Sequence, residues 1–376
     1  MRILYLASVR IPSEKASGLA IVRQCEGFAK NGHEVDLLVP RRAKTEVSIE
    51  EAYGIKLNFT VHKFSSLSLF QFGKLGLAFL YFYEDLRALW FLLKEKGRYD
   101  VIYSRDQYRI LPFLCLGFSK KCFTELHTIH GNFLTKFVSK KSRKVIVISK
   151  GLQDFYKELS QRNDILVEPS GVYLEQFDGL PSQAEVRKGL SLPLDKVIFG
   201  YVGKLTTIGE SKGVEEIIEA FSSAHKQKPK THLLLAGVES HEESAVREIF
   251  KSLGTPDSAY TLTPLDQSLF AQYLTSCDVL LMNYPSKEHY VKYMSPIKMF
   301  AYLAVGKPIV SSDLPTIREI HDVEGILYAR PDSVEDYSKQ LLNALNLLQE
   351  LSLKAQKNIE VAERYSWESR ARRILL

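Results

Sequence analysis

Three short stretches carry residue types whose spacing suits phosphate and hydroxyl chemistry. Gly203-Lys204 ends an apolar run, and Lys212-Gly213 opens a run of helical periodicity. A glycine permits close backbone approach, and two ammonium groups at a helix entrance can balance the charge of a departing diphosphate. Ser295-Pro296-Ile297-Lys298-Met299 reads as a second helix entrance, with Ser295 as N-cap and Pro296 at the first helical position. Lys298 in that first turn is unfavourable against the helix dipole, so its presence points to an external anion. Glu125 and His127 close a strand and share one of its faces. An imidazole there can donate to hydroxyls or share a developing positive charge near neutral pH, with Glu125 orienting the ring. His130 lies three residues on, near enough to be confused with His127. Each stretch alone also has a plain explanation, as a surface lysine or a loop-bonded histidine.

Parallel strands and their crossovers must position these groups. RILYLAS (2–8) is an apolar run of the kind buried in a parallel sheet. A loop over 10–18 contains Gly18, a helix follows over about 19–31, and His33–Val39 is the next strand. That order is a βαβ unit, although the glycines do not form GxGxxG. Further strands are expected at Tyr99–Ser104, Phe123–His130, Lys144–Ser149 and Ile165–Val167. Gly18, Arg105, His127 and Gly171 then fall at the carboxyl ends of strands, where open parallel sheets bind ligands. Residues 175–195 are polar and carry Gly179, Pro181 and Pro193, as a linker would. The pattern restarts with strands at Val197–Val202, His232–Ala236, near 260 and at Asp278–Met282. Helices are expected over Val214–Ala224, 242–252, 267–275 and near 333–350, and the tail 355–376 reads as helical. Thr316–Glu319 looks like a capping box. The expected class is therefore α/β with two parallel-sheet domains. Residues 64–83 carry a single charge, Lys74, and an apolar ALWFLL run and KEKGR follow. This segment fits a core-packed helix pair, and a peripheral contact with a membrane face is the alternative.

The bulk numbers narrow the classes. A chain of 376 residues, 45% hydrophobic and 25% charged, suits two globular domains. Residues 1–180 carry 27 Lys+Arg against 19 Asp+Glu, a balance of +8, and the remainder carries −2. A basic first half suits phosphorylated or membrane-surface partners, or solubility alone. The four cysteines form no CxxC pair, which argues against zinc and fits a reducing compartment. No run reaches the length of a membrane-spanning helix, and the N-terminus is too soon interrupted by Arg10 to be a signal peptide.

Taken in order, RILYLAS, Ser17-Gly18, GHEVDLLV, YDVIYSRD, ELH, VIVISKGL, EPSGVYLEQF, GYVGKL, SKGVEEIIEAF, HLLLAG, CDVLLMNY, SPIKMFAYLAVGKPIVSSDLPTIREI and YSWESRARRIL resemble the glycosyltransferases of family 4, which have the GT-B fold. The resemblance covers almost the whole chain. It implies two Rossmann-like parallel-sheet domains facing across a cleft. The acceptor side would be 1–178 plus a returning helix 358–376, and the donor side 179–357. It implies a nucleotide-diphosphate sugar as donor, a saccharide or lipid-linked acceptor, retention of configuration, no cofactor and no obligatory metal. It also implies a cytoplasmic enzyme of cell-surface polysaccharide synthesis, at most peripheral at the inner membrane face, with no nucleic-acid partner. By that resemblance Gly203, Lys204 and Lys212 hold the diphosphate. Ser295, Pro296, Ile297, Lys298 and Met299 form the helix start that meets the donor phosphates. His127 lies near the donor sugar, and Gly18 lies in the first loop. The family often has two glutamates eight positions apart; here those positions are Tyr293 and Ala301. Loss of one charged hydrogen bond, of order 1.5–3 kcal/mol, weakens donor binding without forbidding it. Glu288 could substitute. Otherwise the chain would be a non-catalytic partner subunit that has lost the donor. An epimerase or phosphorylase of the same fold ranks lower.

Overall fold

The computed structural model describes residues 1–13, 16–41, 47–67, 72–95, 98–207 and 210–376. Parts of three expected features lie outside the described residues: 14–15 of the first loop, 68–71 and 96–97 around the aromatic stretch, and 208–209 between the two lysine pairs. The chain forms two compact units, one of Met1–Gly171 with Trp367–Leu376 and one of Val172–Ser366.

The first unit runs β1 (Arg2–Leu6), α1 (Ala16–Lys30), β2 (Glu34–Arg41), α2 (Ile49–Tyr53), β3 (Thr60–Ser65), α3 (Gly73–Lys94), β4 (Val101–Ser104), α4 (Gln107–Cys115), β5 (Cys122–Leu126), α5 (Phe133–Lys141), β6 (Lys144–Val147), α6 (Lys150–Ser160) and β7 (Ile165–Val167). Its strands are parallel in the order β3-β2-β1-β4-β5-β6-β7. Helices cover both faces, so the central strands are apolar throughout, as in β1, buried from Ile3 to Leu6. Ile21, Val22, Cys25 and Phe28 of α1 pack on one face with Ala371 and Ile374 from the chain's last helix. Ala88 and Leu92 of α3, Ile110 and Phe113 of α4 and Val138 of α5 pack on the other. The aromatic stretch thus contains one 22-residue helix, α3, where a helix pair was expected. Leu80, Ala88 and Leu92 enter the core, but Leu75, Phe79 and Phe82 face solvent. Strand β3, which sequence reading did not anticipate, is an edge strand with no fully buried residue, so it lacks the apolar run that marks its neighbours.

The second unit runs α7 (Gln183–Gly189), β8 (Val197–Val202), β9 (Thr206–Thr207), β10 (Glu210–Ser211), α8 (Val214–Gln227), β11 (Thr231–Ala236), α9 (Glu243–Ser252), β12 (Tyr260–Thr263), α10 (Phe270–Ser276), β13 (Val279–Met282), α11 (Ile297–Ala304), β14 (Ile309–Ser312), α12 (Pro315–Arg318), β15 (Ile326–Ala329), α13 (Val334–Asn346), α14 (Leu348–Ala355) and α15 (Asn358–Arg364). The last helix, α16 (Trp367–Leu375), belongs to the first unit. The second sheet is parallel in the order β12-β11-β8-β13-β14-β15, and β9-β10 is a separate antiparallel hairpin.

Two sequence expectations fail here. The presumed linker 175–195 contains α7, whose start is a full capping box: Glu185 N–H donates to Ser182 Oγ, and Ser182 N–H to Glu185 Oε2 at 2.9 Å. Gln183 and Arg187 then bind Ser276 and Asp278 ahead of β13, so the segment is part of the second unit. The expected capping box at Thr316–Glu319 is absent. Thr316 lies inside the short α12, where its hydroxyl donates to the Tyr290 carbonyl at 2.5 Å.

Candidate functional site

In the second sheet β8 has β11 on one side and β13 on the other, so the crossovers diverge at the carboxyl ends of β8 and β13. Such a switch point leaves a crevice for ligands. The loop after β8 carries Gly203, Lys204 and Lys212; the segment after β13 leads to Ser295–Met299 and α11. Lys212 N–H returns to the Leu205 carbonyl at 3.0 Å, which closes the loop on itself. Gly213, at φ +71°, starts α8, and Asn283 Nδ2 at the end of β13 donates to its carbonyl at 3.0 Å. That bond ties the two loops together.

Lys298 is the centre of this arrangement. Its Nζ is shut off from solvent and has no hydrogen-bond partner. It sits 3.3 Å from the centroid of the Tyr201 ring, a cation–π contact. Gly203 lets the side chain pass: a Cβ there would lie 2.7 Å from Lys298 Cε, and its φ of +134° is closed to other residues. Burial, and then the neighbouring Lys212, hold the Lys298 ammonium well below the ordinary lysine pKa. Burial, and then Lys204, lower Lys212 in the same sense. Lys204 is fixed at its backbone, where Tyr201 Oη donates to its carbonyl at 2.9 Å. Its exposed ammonium lies 3.7 Å from Glu239. Three lysines therefore gather near the starts of α8 and α11, and the most enclosed of them has no hydrogen-bond partner.

The structure corrects the expected cap. Helix α11 begins at Ile297, its N-cap is Pro296, and no side chain caps it. The Ser295 carbonyl accepts the Ile297 N–H at 2.9 Å, a turn that displaces the residue from the capping position. Met299 is fully buried, so its side chain is core, whereas Ile297 is exposed. Ala301 is buried in α11 with no carboxylate in its place. Glu288 is engaged with Lys292 at 3.2 Å and accepts from Tyr293 Oη at 3.3 Å.

In the first unit His127 follows β5. Its Nε2 donates to Glu125 Oε1 at 2.6 Å, and Arg105 Nη2, at the end of β4, lies 3.1 Å from Nδ1. Guanidinium only donates, so Nδ1 must hold its lone pair and the ring is the neutral Nε2–H tautomer. Burial, then Arg105, lower its pKa to about 4. Glu125 accepts in turn from Arg370 of α16 at 2.8 Å and from Tyr103. Arg370 also donates to Gln24 of α1 and to the Pro169 carbonyl, the latter at 2.6 Å. Despite burial, the Glu125 carboxyl is held well below its usual range, Arg370 being the largest opposing cause. Gly18 lies in the first turn of α1 and not in the preceding loop. A Cβ there would meet Ser13 Oγ at 2.5 Å and Tyr53 Oη at 2.6 Å, so close packing demands the glycine. Its neighbour Ser17 lies 3.4 Å through its carbonyl from Arg105 Nη1, which links this turn to His127. His130 bonds locally to Thr128 at 2.9 Å. Among the described residues no three of His, Cys, Asp and Glu are grouped as a metal-binding set, and no helix is long and apolar enough to cross a membrane.

Sequence reasoning missed Tyr201, Asn283 and Arg370. Tyr201 had a faint signal, since it lies two residues before Gly203 on a buried strand. Arg370 had none, because its partner Glu125 is 245 residues away.

Residues 18–176 match the family Glycosyltransferase Family 4, and residues 196–346 match Glycosyl transferases group 1. A candidate teichuronic acid biosynthesis glycosyltransferase, TuaC of Bacillus subtilis, is 28% identical over 192 residues, which span 51% of this chain and 44% of that relative. The fold matches the sucrose-phosphate synthase of Thermosynechococcus elongatus with a TM-score of 0.73 at 16% identity, over 99% of this chain and 97% of that one. It matches Anabaena HepE, solved in complex with UDP and glucose, with a TM-score of 0.72 at 15% identity, over 100% and 98% of the two chains. A glycosyltransferase from Rickettsia africae gives 0.75 at 15% identity, over 100% and 96%. The architecture is the GT-B fold of two Rossmann-like parallel-sheet domains.

Proposed function

Because this chain belongs, through its two domains, to the family 4 and group 1 glycosyltransferases, we propose that it moves a sugar from a nucleoside-diphosphate donor to a hydroxyl of a saccharide or lipid-linked acceptor. One observation carries this most: the enclosed Lys298 ammonium, beside Gly203 and Lys212, with no hydrogen-bond partner. A buried unpaired cation is costly, and a bound diphosphate would supply the missing partner. As the sugar–phosphate bond breaks, negative charge grows on the leaving diphosphate. Lys212, Lys298 and the N–H groups opening α8 and α11 would hold that charge in place without reorganisation. Lys204, more exposed, would close over it by leaving its weak contact with Glu239. His127 Nδ1 is an acceptor in the neutral tautomer, now facing Arg105, and by the family resemblance it would take a hydroxyl of the donor sugar. Retention of configuration and a metal-independent hexosyl transfer extend the family resemblance to this chain. The name of the Bacillus subtilis relative favours a cell-surface polysaccharide as the product. Peripheral contact with the inner face of a membrane accords with a lipid-linked acceptor.

A non-catalytic subunit is the competing assignment, favoured by the buried Ala301 and by Glu288 being turned to Lys292 and Tyr293. Titration calorimetry with UDP, GDP and ADP, followed by turnover of the matching nucleotide sugars, separates the two. The enzyme binds at least one diphosphate and loses transfer on Lys204→Ala and Lys212→Ala. No binding to any of them assigns the chain to the subunit class, and unchanged rates in both variants remove the lysine cradle.

A further inference from the structure

Helix α3 presents an unusual outer surface. Leu75, Phe79, Phe82, Leu86, Trp90 and Leu93 are all exposed, from 49% for Leu86 to 85% for Leu75. At 100° per residue they fall within an arc of roughly 80° and form a stripe about 27 Å long. Soluble helices place such a stripe inward. Here the inner face is already taken by Leu80, Ala88 and Leu92 in the core. The helix's two carboxylates are also turned to the protein: Glu84 is fully buried against Arg109 of α4, and Asp85 Oδ1 accepts from Arg109 Nη1 at 2.6 Å. The outward face of α3 therefore carries no acid. At its C-terminal end Arg87 and Lys94 each lie 5.4 Å from the Trp90 ring, which groups an aromatic with two cations.

The neighbouring elements continue the pattern. Between Gln107 and Gln153 there are nine lysines and arginines and one carboxylate, Glu125, which is buried against Arg370. Helix α5 lies in the same layer as α3 and α4. It exposes Phe133 at its start, with Lys136 and Lys140 exposed on the same face one and two turns later. In a parallel sheet each crossover helix begins at the carboxyl edge of the strands, so Phe133 and the start of α3 share the edge that carries His127.

From this geometry we infer that the α3–α5 face of the first unit docks flat on an anionic lipid surface, with the α3 stripe in the acyl boundary and the α5 lysines on the headgroups. A second copy of the chain fits less well. Two-fold pairing through α3 would bring the basic, acid-poor surroundings of both copies together, whereas anionic headgroups satisfy them. The proposal deepens the transferase assignment only in locating a lipid-linked acceptor, and the surface contact stands without it.

The test is co-sedimentation of the full chain with vesicles of phosphatidylcholine alone and of phosphatidylcholine with phosphatidylglycerol. Light scattering of the free protein and the thermal shift given by nucleoside diphosphates are read in parallel. Binding is expected only to the anionic vesicles, with a blue shift of tryptophan emission from Trp90. Phe79→Ser with Phe82→Ser should weaken it ~tenfold or more, and Lys136→Glu with Lys140→Glu should abolish the anionic preference. Both double variants should keep the wild-type thermal response to nucleotide. Failure to bind anionic vesicles, equal binding to both vesicle types, or a dimer that the phenylalanine variant dissociates would each overturn the proposal. A missing nucleotide response with intact vesicle binding would instead count against the transferase assignment alone.

Discussion

Replacing Lys298 by Met should have opposite effects on the empty and the occupied protein. In the empty protein the ammonium is enclosed beside Tyr201 without a hydrogen-bond partner. Methionine is of similar length, needs no partner and can occupy the same path past Gly203. Exchanging a buried ionic group for an apolar one of similar volume is neutral or favourable, here on the order of 1 kcal/mol. For a unit of this size that raises Tm by about 2–4 °C. In the occupied protein the variant lacks a charge-assisted bond to phosphate, a loss of about 1.5–3 kcal/mol, or roughly 10- to 150-fold in Kd. Linkage adds a sign. Burial depresses the Lys298 pKa in the folded state, so the unfolded chain binds the extra proton and folding is penalised below the ordinary lysine value. A bound diphosphate raises that pKa again, so binding between the two values takes up a proton. Calorimetry in buffers of differing ionisation heat, with the nucleoside diphosphate that binds the wild type, measures all of this. The variant should melt higher when empty, bind more weakly and lose the proton uptake. A variant that binds the nucleotide as the wild type does, with the same proton count, would refute the assignment of Lys298 to the diphosphate.

Arg370→Met leaves the buried Glu125 without its main counter-charge and should cost about 3–5 kcal/mol in urea unfolding, with Glu125→Gln in the same chain restoring part of it. Equal midpoints for Arg370→Met and wild type would show that the pair is not a support for His127. Acidification should destabilise the first unit. The His127 pKa falls from 6.5 to about 4 on folding, so the unfolded state gains a proton as pH drops through that window, a loss on the order of 3 kcal/mol that His127→Gln should reduce. Gly203→Ala should lower both Tm and nucleotide affinity, because the backbone is at φ +134° and the new methyl meets the Lys298 stem. Native thiol titration should find one fast cysteine, Cys115, since Cys25, Cys122 and Cys277 are buried; a second fast thiol would contradict that core.

The two parallel sheets were legible because their central strands are continuous apolar runs, and the neighbourhood of Lys204 and Lys212 was legible because glycine marks their turns. Edge strand β3 and helix α7 were not. β3 has no buried run to announce it, and the Ser182–Glu185 cap sits among prolines and glycine that resemble a linker. The cap assigned to Ser295 failed because its carbonyl turns to accept from Ile297 N–H, and the helix starts one residue later than expected. The solvent-facing side of α3 was misjudged for a different reason: an apolar face and its burial are separate facts, and only packing against α4 shows which side is used. Tyr201 and Arg370 act through contacts that local sequence does not encode.

The placement of Arg370 bears on biosynthesis. Glu125 leaves the ribosome 245 residues before the guanidinium that neutralises it. For most of translation, then, the first unit holds a carboxylate that it cannot afford to enclose. Vectorial synthesis would keep that unit ajar, open to chaperones and proteases, while the second unit, which ends at Ser366, has its whole chain before that helix is made. A released chain ending at Ser366 should therefore protect Val172–Ser366 from proteolysis better than Met1–Gly171.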